Sequence, residues 1–165
     1  MKAFVELARV KELLNYNPES GIFTWRTTNR NRRGGRRAGC AKEGQYTQIG
    51  IDGRLYFAHR LAWFYVYGEW PHGDIDHVNR MPHDNRLSNL RQATRTENNA
   101  NSGLPKNNRS GVKGVHICKS TGRYRAMISI KNKTRHIGYF STLADAQAAR
   151  SYVEQTQFGE FAEKV

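Results

Sequence analysis

Along this chain the spacing of apolar positions changes several times, and each change marks an element. Over residues 3 to 14, Phe4, Val5, Leu7, Ala8, Val10, Leu13 and Leu14 fall near a helical period among charged positions. That predicts a short amphipathic helix. Asn17-Pro18-Glu19-Ser20-Gly21 is turn chemistry, and residues 22 to 26 follow as a short strand. Residues 46 to 51 and 54 to 58 flank Asp52-Gly53, a tight-hairpin signal. Residues 59 to 67 return to helical spacing with Leu61, Ala62, Phe64, Tyr65 and Val66, and Trp63 and Trp70 are expected in the core. Asp74-Ile75-Asp76 alternates polar and apolar, as a short strand does, and Leu90-Arg91-Gln92-Ala93 can be the returning strand. Thr94-Arg95-Thr96-Glu97 reads as a capping box, with Thr94 capping a helix and Glu97 reaching back. Asn98 then falls on the first turns of that helix.

Residues 101 to 108, with Ser102-Gly103, Pro105 and repeated asparagines, read as a linker. Beyond it, residues 112 to 117, 124 to 130 and 134 to 140 predict three strands, and residues 143 to 158 an amphipathic helix. Ser141 or Thr142 would cap that helix, and Leu143, Ala146, Ala149, Val153 and Phe158 would face the sheet. On the middle strand Tyr124, Ala126 and Ile128 share one face, while Arg125 and Met127 share the other. One sheet face is therefore covered and one is open. The fold class expected is α+β, with domains at 1–104 and 109–165.

Charge narrows the partners. The chain has 165 residues with 27 Lys and Arg against 14 Asp and Glu, a formal charge of +13. Such a chain is expected to seek a polyanion, most simply nucleic acid. No apolar run reaches the roughly 18 residues of a spanning helix, and no basic amphipathic helix stands out, so no membrane partner is expected. Lys2, Glu6, Arg9 and Lys11 interrupt any signal-peptide core. Cys40 and Cys118 fit no zinc spacing and suggest free thiols in a reducing compartment. Between Arg26 and Arg37 lie six arginines, both ends counted, and no acid. This stretch reads as a loop, either solvated or a phosphate-contacting arm that orders on DNA, with Arg32, Arg33, Arg36 and Arg37 as candidate contacts.

The densest chemistry is Asp76-His77-Val78-Asn79, followed by Asn85, Asn89 and Asn98. Carboxylate and amide oxygens suit a hard divalent ion such as Mg²⁺ or Mn²⁺. Two protein ligands leave room for waters and a phosphate oxygen. One imidazole near neutral pKa can take a proton from an attacking water. These are the parts of a one-metal phosphodiester hydrolase. His59 heads its helix either as a structural histidine supporting the site or as a contact to the phosphate or metal shell. Arg80, Arg86, Arg91 and Arg95 surround the motif as scissile-strand contacts or simply a basic face, and His83 is a further phosphate candidate.

Asp76-His77, Asn89-Leu90-Arg91 and Glu97-Asn98-Asn99 resemble the HNH endonucleases with a ββα-metal core, especially their phage homing-type branch. The segment Tyr16-Asn17-Pro18-Glu19-Ser20-Gly21-Ile22-Phe23-Thr24-Trp25 is similar to the opening of that branch. Ile51-Asp52-Gly53-Arg54 and Ala58-His59-Arg60-Leu61-Ala62 are similar to its next blocks. The resemblance covers roughly residues 10 to 101. It implies Asp76 and Asn98 as metal ligands, His77 as general base, and Asn89 as the middle asparagine whose amide pins the loop carrying the base. It also implies a ββα-metal core elaborated by the N-terminal helix and hairpin.

The tail resembles the Apetala/ethylene-response-factor DNA-binding domain through Ser110-Gly111-Val112-Lys113-Gly114-Val115, Gly122-Arg123-Tyr124-Arg125-Ala126, Ile137-Gly138-Tyr139-Phe140 and the segment from Thr142 to Arg150. That family lays its open sheet face in the major groove. By position, Lys113, His116, Lys119, Arg123, Arg125 and Arg135 become candidate contacts, while Tyr124 stands where the family has Trp.

The expectation is therefore a DNA endonuclease on double-stranded DNA, monomeric rather than an obligate oligomer. If phage-encoded, it would act in the host bacterial cytoplasm. The alternatives are a non-cleaving sequence-specific DNA-binding protein, an RNA-directed protein, and a structural packaging protein. The packaging protein would need no such triad.

Overall fold

The computed structural model describes residues 5–26, 34–40, 44–105, 107–131 and 133–162. Arg32 and Arg33, two of the candidate DNA contacts, lie outside the described residues. Short helices and small antiparallel sheets make the chain α+β, in two compact units, Met1–Gln92 and Ala93–Val165. Among the described residues no helix is long and apolar enough to cross a membrane.

In the first unit α1 (Leu7–Leu13) runs directly into β1 (Leu14–Asn17), which pairs with β2 (Ile22–Trp25) in the register Tyr16↔Phe23. The Asn17 side chain accepts from the Glu19 and Ser20 amides, and Gly21 closes the turn at φ +70. β1 was not expected from periodicity. Its Leu14 and Tyr16 are buried and alternate with exposed Asn15 and Asn17, and pairing with β2 fixes these four residues as a strand.

Residues 34–38 also differ from the expected loop. Gly35 donates to Trp25 O at 2.7 Å, Trp25 to Arg36 O at 2.9 Å, and Ala38 to Phe23 O at 2.7 Å, so this backbone runs along the free edge of β2. Gly39 (φ +86) then passes so close to the next strand that a Cβ would meet Gln48 O at 2.7 Å. Arg36 and Arg37 are thus anchored by backbone, with exposed side chains.

β3 (Gln48–Ile51) and β4 (Arg54–Phe57) form the hairpin, and Asp52 (φ 48) and Gly53 (φ 77) both take the left-handed backbone that its turn requires. α2 (Ala58–Tyr67) follows and ends at Gly68. Val10, Leu14, Ile49, Ile51 and Leu61 are the fully buried centre of this unit, and Trp63 and Trp70 pack partly buried against it. β5 (Asp74–His77) pairs with β6 (Leu90–Ala93), and a single 3₁₀ turn, Leu87–Asn89, leads into β6.

The second unit begins inside β6, upstream of the boundary expected at 104. It holds α3 (Arg95–Asn101), whose capping box is complete: Glu97 N donates to Thr94 Oγ1, and Thr94 N to the Glu97 carboxylate. β7 (Val115–Ile117), β8 (Tyr124–Ile130) and β9 (Lys133–Phe140) form an antiparallel sheet in the order β7-β8-β9. α4 (Leu143–Phe158) covers it, N-capped by Thr142, which accepts from Asp145 N at 3.1 Å.

The buried face of α4 keeps Leu143 and Ala146 of the expected stripe and adds two charged residues. Ala146 is buried, but so are Arg150 and Glu154, bonded to each other through Nη1–Oε2 at 2.5 Å and Nη2–Oε1 at 3.2 Å. These positions recur every fourth residue, and the room for them comes from Gly114 (φ +68), where a Cβ would meet Arg150 Nε at 2.4 Å.

Candidate active site

β5 ends the core at Ile75 and delivers Asp76 and His77, both buried, at 4% and 5% exposure. Burial of two ionisable neighbours at a strand end is costly unless each finds a partner. The loop from Val78 to Asn89 supplies the frame. Asn89 donates through Nδ2 to Asn79 Oδ1 (3.0 Å) and Asp84 O (2.8 Å), while its Oδ1 accepts from Asn79 N (3.0 Å) and its carbonyl from Val78 N (3.0 Å). One buried carboxamide thus ties both ends of the loop to its middle. Asn79 continues the brace to Asp84 Oδ2 at 2.6 Å. Arg86 holds Asp84 by Nε and Nη2, and these hydrogen bonds bring the Asp84 pKa down to about 2. Arg80 takes a left-handed backbone (φ 61), and its amide donates to His77 O at 2.8 Å.

The His77 ring meets Asn85, His59 and Tyr46. Its Nε2 lies 3.2 Å from Asn85 Oδ1, and Asn85 is 2% exposed. The His59 ring packs edge-on at 5.1 Å between centroids, and Tyr46 tilts against both imidazoles. Burial lowers the His77 pKa, opposed by the Asn85 bond and the nearby Asp76 and Asp84 charges. The His59 pKa is lowered to about 3, first by burial and then by His77. His59 Nδ1 is buried with no hydrogen-bond partner among the described residues. A neutral His59 stacked on Phe57 at 5.5 Å is an apolar wall to the site.

Asp76 Oδ2 accepts from Arg91 Nε at 2.9 Å and pairs with Nη2 at 2.8 Å. A buried carboxylate that already carries one cation is a hard-oxygen donor of the type a divalent ion takes. Among the described residues no group of three or more His, Cys, Asp and Glu comes together. Asn98 stands half-buried on α3 in the second unit, where its backbone N–H donates to Thr94 O at 2.9 Å.

Residues 56–100 match the HNH endonuclease family. The matched stretch opens in β4 and closes on α3, so it contains Asp76, His77, Asn85, Asn89, Arg91 and Asn98. Protein 3.8 of Escherichia phage T7 is 36% identical over 76 residues, which make up 46% of this chain and 63% of that protein. The chain thus spans less than two thirds of that relative's length. No solved structure matches the chain.

The C-terminal sheet lies outside the matched stretch. Its register places His116, Arg125 and Tyr139 side by side across β7, β8 and β9 on the face away from Ala126. Arg135 is not in this row. A register shift between Ala126 and Met127 pairs Ile128 with Arg135, and directly paired residues share a face, so Arg135 lies on the face of Ile128, with its side chain exposed. His136 takes the open position opposite Met127, with its ring 4.8 Å from Tyr139. Lys113 sits elsewhere again: its ammonium donates to the carbonyls of Asn99 (2.9 Å), Ala100 (2.6 Å) and Ser102 (2.5 Å), at the C-terminal end of α3. Cations are favoured there by the helix dipole. Lys119 and Arg123 are exposed in the β7–β8 connection, and Arg123 Nη2 donates to Tyr139 O at 3.2 Å.

Sequence reasoning gave no role to Asn85, to Arg91 as the partner of Asp76, or to His136. Asn85 stands among other loop asparagines, and no local pattern separates one that turns the chain from one that bonds an imidazole.

Proposed function

We propose that the chain is a metal-dependent DNA endonuclease of the HNH type. The observation that carries this reading is the buried Asp76-His77 pair, set at a strand end and braced by Asn89, within the stretch that matches the HNH endonuclease family. His77 is the general base: the ring nitrogen not facing Asn85 accepts a proton from the water that attacks phosphorus. Its lowered pKa keeps it unprotonated, as a base must be. Asp76 and, by the family pattern, Asn98 are the residues that would hold a divalent ion, Mg²⁺ or Mn²⁺, and such an ion would supply positive charge for the developing phosphorane and the departing 3′ oxygen. Asn89 keeps the loop that carries the base in one conformation. Products are 5′-phosphate and 3′-hydroxyl ends.

The second unit is the anchor. Its open sheet face, with His116, Arg125, Tyr139 and His136, suits the major groove in the manner of Apetala-type domains, and Lys119 and Arg123 extend it at one end. Arg36 and Arg37 add exposed charge near the cutting unit. Double-stranded DNA is the partner this charge distribution favours.

A supercoiled-plasmid assay with Mg²⁺ or Mn²⁺ tests the reading. Nicked or linear product is expected from the wild type and none from His77→Ala. A wild type that binds DNA but leaves the plasmid supercoiled would mean a DNA-binding protein that does not cut.

A further inference from the structure

We propose that Asn85 is a positioning residue that fixes which ring nitrogen of His77 carries the proton, and that the β1–β2 hairpin exists in part to hold Asn85 in place. The inference deepens the nuclease reading and rests on His77 being its base.

The orientation of the Asn85 amide decides the point. Its Oδ1 faces His77 Nε2 at 3.2 Å, while its Nδ2 donates to His83 O at 3.3 Å. Turning the amide over would set Oδ1 against the His83 carbonyl, two acceptors with no proton between them. The His83 carbonyl therefore selects the orientation, and an oxygen facing Nε2 requires a proton on Nε2. The lone pair then stays on Nδ1, the nitrogen that must receive a proton from water. Neither His59 nor Tyr46 competes for this role, because each touches the His77 ring by face or edge.

What holds Asn85 comes from far away in sequence. Tyr16, on β1, donates its hydroxyl to Asn85 O at 2.7 Å across 69 residues. Burial raises the Tyr16 pKa, so the phenol remains a donor. Pro18 O accepts from Leu87 N at 3.0 Å. Gly21, at φ +70, lies so close that a Cβ would meet Arg86 N at 2.3 Å and the Asn85 carbonyl carbon at 2.4 Å. Three contacts from one hairpin converge on the two peptide units that follow Asn85. The Tyr16-to-Gly21 segment is thus a brace, and its glycine is required by close approach as well as by φ.

The test is the tautomer itself. In full-length protein labelled with ¹⁵N-histidine, two-bond ¹H–¹⁵N spectra above the imidazole titration range report which nitrogen is protonated. The wild type is expected to show His77 with the proton on Nε2, and a proton on Nδ1 overturns the proposal whatever any variant does. Asn85→Asp keeps an acceptor and should keep the pattern. Asn85→Leu should give a mixture, and Tyr16→Phe a smaller shift the same way. Cleavage at saturating DNA should fall on the order of 10- to 100-fold in Asn85→Leu, with DNA affinity unchanged and recovery in Asn85→Asp. A folded Asn85→Leu protein with the wild-type tautomer would also overturn it. Should the wild type carry the expected tautomer yet cut no DNA, the nuclease reading fails while the assignment of Asn85 stands.

Discussion

At the scale of single residues, two imidazoles in contact have opposite tasks. On the nuclease reading proposed above, His77 exchanges a proton and His59 does not. His77→Ala is expected to reduce cleavage by about 10²- to 10⁴-fold, the usual worth of a general base, and to leave the DNA dissociation constant unchanged in gel-shift titrations. Equal loss of both would make His77 a structural residue. His59 gives a pH prediction with a definite sign. Its pKa falls from 6.5 to about 3 on folding. Between those values the unfolded chain holds a proton that the folded chain refuses. Stability is therefore full above the upper value and declines as the pH drops toward the lower one, by up to about 1.4 kcal/mol per pH unit. His59→Phe removes that contribution and also the unpartnered Nδ1. Urea melts near neutrality and at mildly acidic pH should show a smaller loss in the variant, and identical losses would refute the assignment. His77, lowered in the same direction, leaves part of the slope in place.

At the scale of elements, the local signals that proved readable are those in which one turn or one period decides the outcome. The Asp52-Gly53 hairpin, the Thr94–Glu97 capping box and the length of α4 are of this kind. Thr94→Ala is expected to destabilise the chain by ~1 kcal/mol, the usual cost of a lost N-cap, seen as a lower denaturation midpoint. What periodicity does not reveal is the stripe of α4 that carries Arg150 and Glu154. A buried pair is strongly unfavourable to break from one side only. Arg150→Met should cost ~3–5 kcal/mol by stranding the Glu154 carboxylate. Adding Glu154→Leu should recover most of that loss, and a double variant as unstable as the single one would rule out this account. β1 and the 34–38 segment escaped notice for a related reason: each is made by a partner strand, and partners are not written in local spacing.

For the whole molecule, a formal charge of +13 favours a polyanionic partner, and on the reading proposed above the arrangement of that charge sets the mode of DNA binding. The open face of the second unit sets Arg125 between His116 and Tyr139. Arg125→Ala should weaken DNA binding, and if Arg125 meets a phosphate the slope of log affinity against log salt should fall by about 1. Arg135→Ala, on the face of Ile128, should change that slope less; the reverse ranking would place the groove contact elsewhere. Metal binding offers a test of Asn98 that does not depend on cutting. Asn98→Ala is expected to weaken Mn²⁺ binding in a titration followed by electron paramagnetic resonance, and an unchanged curve would remove Asn98 from the ligand set.

The sequence by itself determined the α+β elements, the basic charge, and the adjacency of a carboxylate and an imidazole at a strand end, because these follow from local period, turn chemistry and residue order. Only the tertiary structure decided that Arg91 lies on Asp76, that Asn85 rather than a neighbouring asparagine meets His77, and that a one-residue slip takes Arg135 off the open face. Each of these depends on which backbone or side chain arrives from a distant segment. Burial then decides what a polar group must do, since a polar atom withdrawn from water needs a partner and the fold alone fixes which partner is within reach.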